Sequence, residues 1–338
     1  MWKPMARMDR SKNSKFYYYL SNYLGFWLPN VIYRRLLSYQ PVDAHNIETI
    51  RQRINYYHRW QRPFSLSQSA VDLNEFRQIA KCPYFFDLYR YMRLFPQAKF
   101  CYQFGDVRDV PDMPSFVKSR PIHELNKASI LLNLNKVRHF VRVQDEIAFS
   151  QKHNQLVWRG GVHQPQRIRF FEQYFNHSRC NIGQTNRCKN LHFQKPRMTI
   201  LDQLHYKFIL SLEGNDVASN LKWIMSSNSL AVMPKPKFET WFMEGRLEPG
   251  VHYVCIRDDY ADLEEKMDYY LSHPDEAEQI CRNANRYVQQ FQNPALENTI
   301  AMAVIERYLS LCMECSVESS HNNPFVRMAF GHDESTHN

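Results

Sequence analysis

The pair Asp106 and Asp109 lies in the segment Phe104-Gly105-Asp106-Val107-Arg108-Asp109-Val110-Pro111-Asp112-Met113-Pro114, directly after the apolar run 100–104. A carboxylate at a strand end can accept a proton from a substrate hydroxyl. An Asp close to Pro can equally be a turn former. Further on, Val157-Trp158-Arg159-Gly160-Gly161 reads as a strand ending in a glycine turn, followed by Arg167. Backbone N–H groups at such a turn can approach an anion closely, and Arg159 and Arg167 can flank a diphosphate. In the stretch from Glu213 to Trp223, Gly214 joins a strand to a helix start. Gly214, Ser219 and Asn220 can then cradle phosphate while Lys222 adds charge, although Asp216 or Ser219 could simply cap the helix. Lys118 and Arg120 form a cationic cluster with Lys136 and Arg138 and can hold acceptor phosphate or form a basic surface. Glu239, beyond the apolar run 230–233, is a candidate for the ribose of a bound nucleotide or a surface carboxylate.

The surrounding pattern supplies the elements that must hold these groups. Residues 16–95 carry mostly helical periodicity, as in Phe76, Ala80, Phe85, Leu88 and Met92. From Lys99 the texture changes to short apolar runs ended by turn residues: 100–104, 129–134 and 156–158. A linker approach is expected over 181–190. A second alternation then follows, with strands at 208–212, 230–233 and 252–256 and a helix at 218–226. Helices are expected at 260–271, 274–291 and 294–312. The resulting division is a basic helical cap over 1–98, an α/β domain over 99–190, a second over 191–315 and a loose polar tail over 316–338.

Charge separates along the chain. Residues 1–100 contain 16 Lys or Arg against 6 Asp or Glu, while the remainder holds 27 against 28. This asymmetry implies an anionic partner at the N-terminal end: a phosphorylated glycolipid, an anionic membrane face or nucleic acid. A non-catalytic nucleic-acid or anionic-membrane binding protein is the alternative reading. The 8 cysteines are scattered, with no secretory pattern before them, and read as free thiols in a reducing compartment. Cys312 and Cys315 form a lone CxxC without the second pair a zinc site needs. The aromatic segment from Phe16 to Tyr33 is interrupted by Ser21, Asn22, Pro29 and Asn30, so it is expected to lie on a bilayer rather than span it. There is no GxGxxG, GxxxxGK[ST] or HExxH pattern, which removes the main sequence support for a dinucleotide enzyme, a P-loop nucleotidase or a zincin.

Four blocks in order, Asp106 to Pro114, Trp158-Arg159-Gly160 with Arg167, Tyr206-Lys207-Phe208 through Gly214 to Ser219, and Leu247-Glu248-Pro249-Gly250-Val251-His252-Tyr253, resemble glycosyltransferase family 90. That family includes protein O-glucosyltransferases, capsule-associated xylosyltransferases and bacterial lipopolysaccharide-modifying enzymes. The resemblance implies a GT-B architecture of two facing Rossmann-like domains, a UDP-sugar held mainly by the C-terminal one, no metal or other cofactor, and inversion in a single displacement with an Asp as base. The family's Arg-Asp-x-Pro-x-x-Pro motif matches Arg108 to Pro114 and points to Asp109, while a shifted alignment points to Asp106. Leu221 stands where eukaryotic members carry an Arg, with Lys222 next to it. The segments 118–122 and 214–223 are more similar to the bacterial branch. The implied activity is transfer of a glucose-, galactose- or xylose-class sugar to a lipopolysaccharide core or similar glycan, in the cytoplasm and peripheral at the inner membrane face, with no nucleic acid as partner.

Overall fold

The computed structural model describes residues 6–8, 15–36, 44–186 and 191–315. The tail expected at 316–338 lies outside them. Strand β1 (Ala6–Met8) precedes five helices, α1 (Lys15–Trp27), α2 (Asn30–Leu36), α3 (Ala44–Tyr57), α4 (Leu73–Gln78) and α5 (Pro83–Met92). Four short strands follow, β2 (Tyr102–Gln103), β3 (Ser115–Val117), β4 (Ser119–Pro121) and β5 (Ser129–Leu131), then α6 (Lys136–His139) and β6 (Val143–Asp145). Next come β7 (His153–Gly160), α7 (Pro165–Tyr174), β8 (Cys180–Gln184), α8 (Ile200–Gln203), β9 (Tyr206–Leu210), α9 (Leu221–Ile224), β10 (Leu230–Met233), β11 (Phe238–Thr240) and β12 (Val254–Cys255). Helices α10 (Leu263–Ser272), α11 (Pro274–Gln289) and α12 (Pro294–Leu311) complete the order. The fold is mixed α/β with parallel sheets and a helical N-terminal region.

The chain divides into two compact units. One comprises residues 1–17, 137–237 and 242–290. Its centre is a five-stranded sheet in the order β12-β10-β9-β7-β8, with every neighbour parallel. The central strands β9 and β10 and the middle of β7 are near-continuous apolar runs, as parallel strands covered on both faces tend to be: Leu156, Val157, Phe208, Ile209 and Leu210 are fully buried. Around the sheet, Phe170 and Phe171 of α7, Met267 of α10 and Ile280 of α11 join a single core. Pro165 and Pro274 occupy first-turn positions of α7 and α11, where their fixed φ favours the helix and no N–H is lost. Strands β7 and β8 precede residue 190 and β9, β10 and β12 follow it, so the segment read as an interdomain linker runs inside one sheet-centred unit.

The second unit comprises residues 18–136, 238–241 and 291–338. Strands β2, β3 and β5 form a small parallel sheet, and β11 pairs antiparallel with β4. Helices α3 and α12 are tied by Arg53, whose Nη1 lies 2.5 Å from Glu297 Oε1. Trp241 Nε1 donates to the same carboxylate, and the Tyr57 ring stacks on Trp241 at 3.8 Å. Asn293 caps α12 by accepting from the N–H groups of Ala295 and Leu296. The seven described cysteines are free thiols. Among the described residues no helix is long and apolar enough to cross a membrane.

Candidate functional site

In chain order the five strands of the larger sheet run 2-1-3-4-5 across it, so the strand order reverses between β7 and β9. The connections leaving those two strands diverge there, and the carboxyl ends of strands at such a reversal are where α/β sheets bind ligands in a crevice. Both glycine turns singled out in the sequence arrive at this point. Gly160 ends β7, and a Cβ on it would stand 2.6 Å from the Trp158 ring, so the close turn requires glycine. Gly214 follows β9, and a Cβ there would meet Arg167 Nη2 at 3.3 Å and Gln164 Nε2 at 3.5 Å.

Arg167 joins the two turns. Its guanidinium donates to the carbonyls of Gly161 (3.0 Å), Leu212 (2.8 Å) and Glu213 (3.1 Å). Gln166, beside it on α7, donates to the carbonyls of Glu213 and Gly214. No carboxylate pairs with Arg167 among the described residues. Burial, followed by the nearby positive charge of Arg138, draws its pKa down to about 10. Arg167 is still a cation at neutral pH, desolvated and without a counter-charge, which is the electrostatic setting an anionic ligand relieves.

Gln164 supplies a second open valence. It sits at the N-cap of α7 and is 8% exposed, and its Oε1 has no hydrogen-bond partner. A buried acceptor left in this state costs stability until a donor reaches it, and a ligand hydroxyl at the crevice would serve. Gln164 is not among the residues that the sequence motifs single out. The available signal was Pro165, which marks a helix start directly after the Gly160-Gly161 turn and so puts Gln164 at a helix N-terminus facing the strand ends.

The other donor-side candidates divide between the crevice and the packing around it. Arg159 lies on the β8 side of β7, where it donates to the carbonyls of Pro196 (2.9 Å) and Asn181 (2.6 Å) and to Asn181 Oδ1 (2.9 Å). Burial lowers its pKa. The structure thus makes Arg159 a strap across β7 and β8. Asn220, at the N-cap of α9, donates to the carbonyl of Leu210 at 2.8 Å, and its Oδ1 lies 3.2 Å from Ser211 Oγ. It holds the β9 turn in shape, with the half-buried Ser219 beside it. Lys222 is buried, and its ammonium lies 2.7 Å from Glu244 Oε1.

In the second unit Asp109 is exposed with no partner among the described residues, whereas Asp106 accepts from Lys118 Nζ at 2.7 Å. Lys118 is 2% exposed and Arg120 fully buried, so neither presents a free basic surface. Arg120 Nε donates to Glu239 Oε1 at 2.7 Å across the β4–β11 pair. Arg59 and the hydroxyl of Tyr56 also meet that fully buried carboxylate. Glu239 is therefore a closed structural centre in this unit.

Residues 124–314 match the pattern of Glycosyl transferase family 90. O-glucosyltransferase LpsA of Dichelobacter nodosus is 44% identical over 287 residues, spanning 84% of this chain and 90% of that protein. Protein O-glucosyltransferase 3 of Homo sapiens is 26% identical over 112 residues, 33% of this chain and 22% of that protein. Protein O-glucosyltransferase 2 of Danio rerio is 25% identical over 92 residues, covering 27% of this chain and 18% of the relative. The matched span contains the β7–β9 crevice with Gln164, Arg167 and Gly214, and the likeness to LpsA runs through most of both chains; this protein belongs to glycosyl transferase family 90 and is a glycosyltransferase.

Proposed function

We propose that the chain moves a sugar of the glucose, galactose or xylose class from a UDP-sugar to a hydroxyl of a lipopolysaccharide core or similar glycan, with inversion and without a metal. The observation that carries this reading is Arg167, a half-buried cation that meets backbone carbonyls and the Trp158 ring but no carboxylate among the described residues, at the carboxyl ends of β7 and β9. A diphosphate placed there gains a desolvated positive charge, the N-terminus of α7 and the charge of Arg138. Gln164 Oε1 is available to accept from a donor hydroxyl. In the proposed GT-B arrangement, this sheet-centred unit is the Rossmann-like half that holds the nucleotide.

Asp109 is the favoured base because its carboxylate is exposed and unpaired, while Asp106 is engaged by Lys118. In the single displacement, Asp109 takes the proton of the acceptor hydroxyl as that oxygen bonds to the anomeric carbon. The bond from that carbon to the diphosphate oxygen breaks in the same step, and UDP leaves with the electron pair. Fixed cations stabilise the charge that appears on the leaving group. The glucose class of donor and a glycan hydroxyl as acceptor agree with the O-glucosyltransferase name of the 44% identical relative.

The test is incubation with a panel of UDP-sugars and truncated lipopolysaccharides, read by mass spectrometry in chelator and in added manganese. One UDP-hexose or UDP-pentose is expected to give a single-sugar mass increment equally in both. Absence of transfer from every UDP-sugar, or transfer only with manganese, would overturn the proposal.

A further inference from the structure

Eight of the twelve large exposed hydrophobic side chains among the described residues lie between Phe16 and Ile32. Phe16, Leu20, Leu24 and Trp27 are spaced by four, four and three along α1, which puts them on one helical face. Their exposures are 70%, 45%, 63% and 79%, and Val31 and Ile32 of α2 add 70% and 48%. The other face of α1 is already occupied. Tyr19 and Tyr23 set their rings against Phe86 of α5, at 6.1 and 5.0 Å, and Phe26 lies against Tyr89 at 5.0 Å. Tyr18 donates to the carbonyl of Pro83, and Arg93 donates to the carbonyl of Gly25 (2.6 Å) and to Asn30 Oδ1 (2.9 Å). The helix is thus held firmly while its outward face is apolar, the reverse of the usual surface helix. An apolar patch concentrated on one element marks an interaction surface.

Charge selects the occupant. Between Asp9 and Asp43 the sequence contains no Asp or Glu, while Arg10, Lys12 and Lys15 precede the apolar run in sequence and Arg34 and Arg35 follow it. Leucine and tryptophan on one face with flanking basic residues match a bilayer interface, where the rings settle at headgroup depth and the cations meet anionic lipid. The length of α1, 13 residues, suits a helix lying in the interface and is too short to span a bilayer.

We propose that the bare face of α1 and α2 docks this protein onto an anionic lipid surface. The inference rests on exposure and charge and stands independently of the sugar-transfer reading.

The test is flotation with vesicles of phosphatidylcholine alone and with roughly one-third phosphatidylglycerol. The full chain is expected to float with the anionic vesicles only and to be released by high salt, because screening removes the electrostatic part. Leu24→Glu/Trp27→Glu is expected to lower binding ~10-fold or more with an unchanged thermal midpoint, since both side chains are largely solvent-facing. Arg34→Glu/Arg35→Glu should weaken the salt-sensitive part. Failure of the parent to prefer anionic vesicles, or full binding by the Leu24→Glu/Trp27→Glu variant, would overturn the proposal. A parent dimer in light scattering that Leu24→Glu dissociates would also overturn it, by showing that a second copy covers the face.

Discussion

Lys222 and Glu244 form an ion pair at 2.7 Å with each side chain 2% exposed. The Lys222 ammonium also faces the rings of Phe242 and Phe140, at 5.1 and 5.9 Å. Removing one member of such a pair strands a charge in the interior. Lys222→Ala should therefore lower unfolding free energy by about 3–5 kcal/mol, and adding Glu244→Gln should recover much of the loss. Urea unfolding measures both. Calorimetry at low temperature should find UDP affinity near that of the parent; unchanged stability with lost UDP affinity would instead return Lys222 to the diphosphate.

The two arginines of the β7 region should behave differently. Arg167→Ala removes the uncompensated cation at the switch point, and turnover is expected to fall ~100- to 1,000-fold. Arg159→Ala breaks bonds to Pro196 and Asn181, so its main effect should be a lower thermal midpoint with turnover retained within ~10-fold. Steady-state kinetics beside differential scanning fluorimetry separates the outcomes. A larger kinetic loss in Arg159→Ala would move the diphosphate to the β8 side of β7.

Asp109→Asn and Asp106→Asn distinguish the base. A carboxamide keeps shape and loses basicity, so the favoured base should lose ~100- to 10,000-fold in turnover while UDP-sugar binding persists. That loss is expected at Asp109. Asp106→Asn leaves the buried Lys118 ammonium without its carboxylate, and should show instead a stability loss of about 1–3 kcal/mol. Parent-like turnover in both variants would remove the mechanism's base.

His58 predicts an acid sensitivity. It is fully buried, and burial, with Arg307 nearby, drives its pKa down to about 3. Above the ordinary histidine value the ring is neutral in both states and costs nothing by titration. Below about 6.5 the unfolded chain takes the proton first, so this residue's contribution falls by about 1.4 kcal/mol per pH unit down to about pH 3. Urea unfolding between pH 4 and 7 should therefore be steeper in the parent than in His58→Leu. Parallel profiles would show that His58 does not titrate between the two states.

Local pattern was sufficient for much of the fold. The run Leu230–Met233 is a strand with the bounds its sequence suggests, and the helices α10, α11 and α12 lie within a few residues of those expected, with Pro274 marking the start of α11 and Asn293 and Pro294 that of α12. The helix expected over 218–226 contracts to Leu221–Ile224 because Asn220 spends its side chain on Leu210 and Ser211. Strand β8 was hidden in 181–190, where glycine and asparagine resemble a linker, since its pairing with β7 comes from backbone rather than from an apolar run.

Sequence by itself determined the α/β alternation, the family and the two glycine turns at strand ends, because these depend on neighbouring residues and ordered motifs. Tertiary structure decided which cations remain available to a ligand. Lys118, Arg120 and Lys222 look alike in sequence to Arg167, yet packing gives the first three a carboxylate and the last carbonyls and the Trp158 ring. Arg120 finds Glu239 across a distance of 119 residues because β4 and β11 pair. The strand reversal between β7 and β9 then brings Gly161 and Leu212 together around Arg167. A charge's partner is set by the three-dimensional neighbours that desolvate it, and those are fixed by long-range packing that no local spacing encodes.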